Sequence, residues 1–139
     1  MSFVGLMVVL IFLGLVLGVR MEANFFDLSG LLYVIGGTIG MLLLSGINIF
    51  SLLKIPFASS PSSSDLSTGA RNWDLLGIYA LVSGAIVSII KIVLMLGSLE
   101  DPAIIGPSIA NCLITQGYGF GLAFFVSLPI RKKLAEAAE

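Results

Sequence analysis

With 139 residues, 58% hydrophobic and 11% charged, and a mean hydropathy of +1.11, the chain has too little polar surface to cover a soluble globule. A formal net charge of -1 and the absence of histidine argue against a nucleic-acid partner and against a histidine-based metal site. The composition is that of an all-α integral membrane protein, forming a single membrane domain over residues 1–139.

Four apolar stretches are long enough, at about 1.5 Å rise per residue, to cross a hydrocarbon core of roughly 30 Å: residues 3–19, 28–53, 73–97 and 107–129. The first lacks a basic leading segment and a small-residue cleavage site, so it is read as a transmembrane span and not as a secretory signal. The second connection, residues 56–72, contains "SSPSSSDLSTG" and is predicted to be a flexible loop, with a phosphorylatable or ligand-binding role for its serines as the alternative. A third connection over residues 98–106 carries Glu100 and Asp101, and a polar tail covers residues 130–139. Lys54 and Arg71 flank the second connection, and Arg131, Lys132 and Lys133 follow the fourth span. By the bias of cytoplasmic loops toward Lys and Arg, both termini are predicted to be cytoplasmic, in a multi-pass topology of four transmembrane helices.

Helices in lipid approach closely where small residues let their backbones touch. Glycines one turn apart occur at Gly14 and Gly18, Gly36 and Gly40, and Gly117 and Gly121, while Gly77, Ala80 and Gly84 share a face of the third span. Polar residues gather on the last two spans: Ser83, Ser88 and Lys91 on the third, Asn111, Thr115 and Gln116 on the fourth. Ser88 and Thr115 each lie roughly 12 to 14 Å from the third connection, at one level on antiparallel helices. Such residues serve as hydrogen-bond ties between helices or line a polar path. Lys91, about 9 Å below the interface, is the one formal charge well inside a span. It is read as reaching outward past Leu94 and Met95, the alternative being a role in transport. Cys112 is read as a small core residue.

Two stretches carry a resemblance. "DLSGLLYVIGGTIGMLLLSG", residues 27–46, resembles the second helix of flagellar stator subunits of the MotA and PomA type. "LEDPAIIGPSIANCLITQGYGFGLAFFVSLP", residues 99–129, resembles the fourth helix of that family, whose pattern is close to D-P-x-x-I-G-P-x-I-A-x-A-L-x-T-T-x-Y-G. The wider MotA/TolQ/ExbB proton channel superfamily shares the core of third and fourth helices. The resemblance implies a homopentamer of A-type subunits around two copies of a single-span, MotB- or ExbD-like partner in a bacterial inner membrane. It implies a non-enzymatic rotary motor that uses no cofactor, transports H+ or Na+, and takes its ion-binding aspartate from the partner. The third and fourth helices would line the channel and the first and second would face lipid.

Carried over by residue, the motif's T-T pair falls on Thr115 and Gln116, its Y-G on Tyr118 and Gly119, and its terminal proline on Pro129. Asp101, Pro102 and Pro107 match the outer loop, with Pro102 read as a turn residue and Pro107 as the helix starter. Thr115, Gln116 and Ser88 are therefore the expected channel lining. Gly117, Tyr118, Gly119, Gly77, Gly84 and Pro129 are the expected packing and gating residues. Gln116 stands where the family has its second threonine, and Leu81 where the third helix has its own, unless the register is taken from the outer loop, which brings Ser88 there. The largest departure is the 56–72 connection, far shorter than the cytoplasmic domain through which flagellar stators push on a rotor. The alternatives are a small multidrug-type secondary transporter, which needs a membrane acid of its own, and an ExbB/TolQ-like energiser of outer-membrane processes.

Overall fold

A computed structural model describes residues 27–58, 61–97 and 102–139, and all of the elements it describes are helical. The first predicted span, 3–19, with Glu100 and Asp101 of the third connection, lies outside the described residues.

Helix α1 spans Leu28–Leu44, and α2 spans Ile49–Lys54 and runs into a 3-10 turn over Ile55–Phe57. The single span expected over 28–53 is thus two helices, bent by 110°. The bend has a local cause. Gly46 adopts φ 72, open to a residue without a Cβ, and its N–H reaches Leu43 O at 3.0 Å while the next N–H, of Ile47, reaches Leu42 O at 3.1 Å. These two bonds close off the end of α1. Asn48 then starts α2, its side-chain oxygen accepting from Phe50 N at 3.0 Å.

Helix α3, Ser63–Leu96, is 34 residues long, about 51 Å, so it outruns the hydrocarbon core. The flexible loop expected over 56–72 is shorter than its composition suggests, because ten of its residues, 63–72, form the start of α3. A capping box is the reason: the Ser62 hydroxyl accepts from Asp65 N while Asp65 Oδ2 accepts from Ser62 N. Leu66 and Ala70 then find a core. They pack with Leu42, Ile47, Leu52, Trp73 and Leu134 into an apolar base at the end of the molecule that carries Arg71, Arg131, Lys132 and Lys133. The Trp73 indole donates to Leu52 O at 3.1 Å and ties α2 to this base. Replacing Ser62 with Ala is expected to cost about 1 kcal/mol, seen as a lower melting temperature and as loss of helical amide protection over 63–66.

Helix α4 covers Pro102–Gly121 and continues through a π-helical segment, Leu122–Ser127, into α5, Leu128–Ala138. Pro102, not Pro107, is the first helical residue, and Pro107 sits inside the helix. The earlier start extends the fourth span beyond its expected 107–129, and the expected tail over 130–139 is α5, anchored by buried Leu134. Pro129 accounts for the widened turn before it, because its ring cannot donate to the ladder and crowds the carbonyl four residues back.

Two helices, Ser63–Leu96 and Pro102–Ala138, are each long and apolar enough to cross a membrane, with mean hydropathies of 2.3 and 1.4 in their most apolar windows. The bent pair α1–α2 makes a third if it is taken as one span. The protein is accordingly a membrane protein. Its α3 and α4 form an antiparallel hairpin, with α1 packed across α3.

Candidate functional site

The α3–α4 seam is a contact between backbones. A Cβ placed on Gly119 would stand 2.7 Å from Ala80 O, and one on Gly84 would stand 3.2 Å from the Gly119 Cα. Gly77 leaves room for the Ser127 side chain in the same way, its added Cβ meeting Ser127 Oγ at 2.6 Å. Gly117 and Gly121, and Gly36 and Gly40, behave differently: a Cβ there meets nothing within 4 Å. Of the glycines read as packing residues, Gly77, Gly84 and Gly119 hold the seam, and Gly117 faces away from it.

Hydroxyls tie the helices at successive levels. Ser127 donates to Trp73 O, Ser83 to Val34 O at 3.1 Å, and Ser88 to Cys112 O at 2.8 Å. Among the described residues, no buried side-chain nitrogen or oxygen lacks a hydrogen-bond partner. Ser88 is therefore occupied as a tie between α3 and α4. It does not bond Thr115, which lies one turn further along α4 than Cys112.

The polar centre of the molecule is the junction of α1, α3 and α4. The Lys91 ammonium forms an ion pair with Asp27 Oδ2 and donates to Thr115 Oγ1 at 2.8 Å. Thr115 Oγ1 lies 3.1 Å from Asp27 Oδ2 and 2.9 Å from Asn111 O, so its single proton goes to one of these while its lone pairs receive the ammonium. Tyr118 OH accepts from Asp27 N at 3.1 Å. Thr115 is fully buried, and the side chains of Lys91 and Asp27 are only 19% and 10% exposed. Gly30 makes the space, since a Cβ on it would stand 2.6 Å from Thr115 Oγ1 and collide with the Asp27 carboxylate.

The outward reach expected of Lys91 is not what forms. The Cα–Cβ bond of a helical residue tilts toward the helix N-terminus, which for α3 means away from the near end, and the ammonium turns inward to Thr115. Asp27 itself escaped the sequence reading because it precedes its helix by one residue. The signal was a buried cation in need of a counter-charge at matching depth. A groove of about 250 Å³ beside Lys91, lined also by Leu94, Met95, Ser108, Asn111 and Cys112, opens between α3 and α4.

Gln116, next to Thr115, is half-buried and lies between the buried row of Cys112, Thr115 and Gly119 and the exposed row of Leu113, Gly117, Phe120 and Phe124. Of the three expected lining residues, Thr115 and Ser88 are thus buried within the subunit and Gln116 is half-buried at its edge. Asp101 lies outside the described residues. Among the described residues no three His, Cys, Asp or Glu side chains come together as a metal site would need.

No protein-family model matches the chain. It is similar to Motility protein A of Aquifex aeolicus (strain VF5), 31% identical over 99 residues, which are 70% of this chain and 39% of that protein. It is also similar to Motility protein A of Cereibacter sphaeroides, 43% identical over 51 residues, 37% of this chain and 20% of that protein. The uncharacterized protein YtxD of Bacillus subtilis (strain 168) is 41% identical over 71 residues, 51% of this chain and 26% of that protein. The chain therefore spans well under half the length of each of these relatives.

Proposed function

Because this chain is related to the MotA-type motility proteins, we propose that it is a non-enzymatic, A-type subunit of a stator-like, ion-driven membrane complex. Five copies surround two single-span B-type partners in a bacterial inner membrane, with both termini on the cytoplasmic side. The partner's aspartate carries H+ or Na+, and α3 and α4 face the partner. The observation that supports this reading is the split of the Thr115–Gln116 pair. Thr115 is consumed in the three-helix junction, which leaves the half-buried Gln116 amide, at the border between the buried and the exposed apolar faces of α4, as the member of the pair still accessible to a partner. Apolar side chains suffice against lipid, whereas an amide at that depth stabilises a carboxylate or its ion where water is scarce.

The base of α2, the start of α3 and α5 stands where a rotor-engaging domain would be inserted. Among the described residues its exposed side carries two charged contacts, Arg131 to Asp74 at 3.1 Å and Lys132 to Glu136 at 3.9 Å. A driven element therefore meets this small base or is coupled through the partner.

The test is co-expression with a single-span partner bearing a membrane aspartate, followed by native mass measurement and flux assays in vesicles. A five-to-two complex is expected, and Gln116→Leu is expected to lower partner-dependent flux by about tenfold or more, the loss of one buried polar contact. A monomeric wild-type chain with no partner-dependent flux would refute the reading.

A further inference from the structure

We propose that the Lys91 ammonium is a tethered cation, filling a monovalent-cation site that Asp27 and Thr115 build at the junction of three helices. The inference goes beyond the function proposed above, because it concerns the chain's own architecture and holds whatever complex the chain enters.

The groups that meet the ammonium are all oxygens. Asp27 Oδ2 and Thr115 Oγ1 touch it, and Asn111 O orients the threonine hydroxyl from 2.9 Å. Tyr118 OH accepts from Asp27 N and so holds the backbone that carries the carboxylate. Carboxylate and hydroxyl ligands suit a hard cation, and one carboxylate balances one positive charge, which sets the class as monovalent. Gly30 supplies the cavity, because any side chain there would fill the place of the Asp27 carboxylate. The site is therefore built from two separate stretches of chain around a positive charge that a third supplies.

A mobile sodium ion in this place would exchange with water, and the helix junction would loosen whenever the ion left. An ammonium on a four-carbon stem rooted in α3 does not leave. The junction stays closed at any salt composition, and Thr115 is shut off from whatever ion the membrane conducts.

Lys91→Met keeps the length of the stem and removes the charge. The full chain carrying it is melted in sodium chloride and in N-methylglucamine chloride at equal ionic strength. The wild type is expected to melt at one temperature in both, whereas Lys91→Met is expected to melt roughly 3 to 6 °C higher in sodium, the small ion entering the vacated place. Asp27→Asn combined with Lys91→Met is expected to lose that response. If Lys91→Met yields no folded protein in one salt, the readout becomes the amount of folded protein recovered from membranes prepared in each, with recovery expected in sodium alone. Equal melting or equal recovery of Lys91→Met in the two salts overturns the proposal, as does a sodium response in the wild type or one that survives in the double variant.

Discussion

Gly119→Leu is expected to unlatch α3 from α4 and cost about 3 kcal/mol or more. A Cβ at this position lies 2.7 Å from Ala80 O and 3.3 Å from the Gly84 Cα, and both of these are backbone atoms that cannot swing aside. The helices have to separate by more than an ångström over the turn where they approach most closely. The control is Gly117→Leu, two residues away on the open face, which is expected to stay within about 0.5 kcal/mol of the wild type because helix propensity favours leucine and nothing blocks it. Thermal unfolding of the two variants in the same detergent decides the matter. Equal melting temperatures would remove the argument for a backbone-to-backbone seam.

The second large effect belongs to the charge pair. Asp27→Ala strips the counter-charge from an ammonium that is 19% exposed, and the cost is expected to be about 2 to 4 kcal/mol, somewhat below that of a fully dry pair because water still reaches part of it. Lys91→Met alone is expected to cost a similar amount in a buffer without small cations. Asp27→Ala combined with Lys91→Met leaves no charge uncompensated, and its cost is expected to fall short of the sum of the two single changes by about 1 to 3 kcal/mol. A double-mutant cycle measures that coupling. Strict additivity would mean that the two side chains do not depend on one another.

The small residues of the third span were legible as a packing face. Gly77, Ala80 and Gly84 recur at helical spacing, and all three are buried on α3. The same spacing at Gly36 and Gly40, or at Gly117 and Gly121, looked identical in one dimension and turned out to face open space. Periodicity says which residues share a side of a helix and leaves unsaid which side meets a neighbour. The serine-rich segment differs from its composition for a related reason: its overall polarity suggests a solvated linker, yet the spacing of Ser62 and Asp65 is a helix start, and Leu66 and Ala70 behind it are enough to dock. Two prolines near the start of the fourth span each fit a first turn. The helix took Pro102 there and accepted the loss of one ladder bond at Pro107. Gly46 held the signal for the bend, with a capping asparagine two residues on, but the apolar residues on both sides of it read as one continuous span. The Asp27–Lys91 pair depends on the register of α1 against α3, which no local pattern encodes.

Helix α3 runs its 34 residues without a proline or a widened turn, whereas its neighbour carries the π segment ahead of Pro129. From Lys91 to Ser63 this rod measures about 42 Å, so a tilt of about 5° at the charged junction sweeps its far tip through roughly 4 Å. Any rotation of so long a straight rod about the charged junction would be largest at its opposite end, beside the base that holds Leu66 and Leu134.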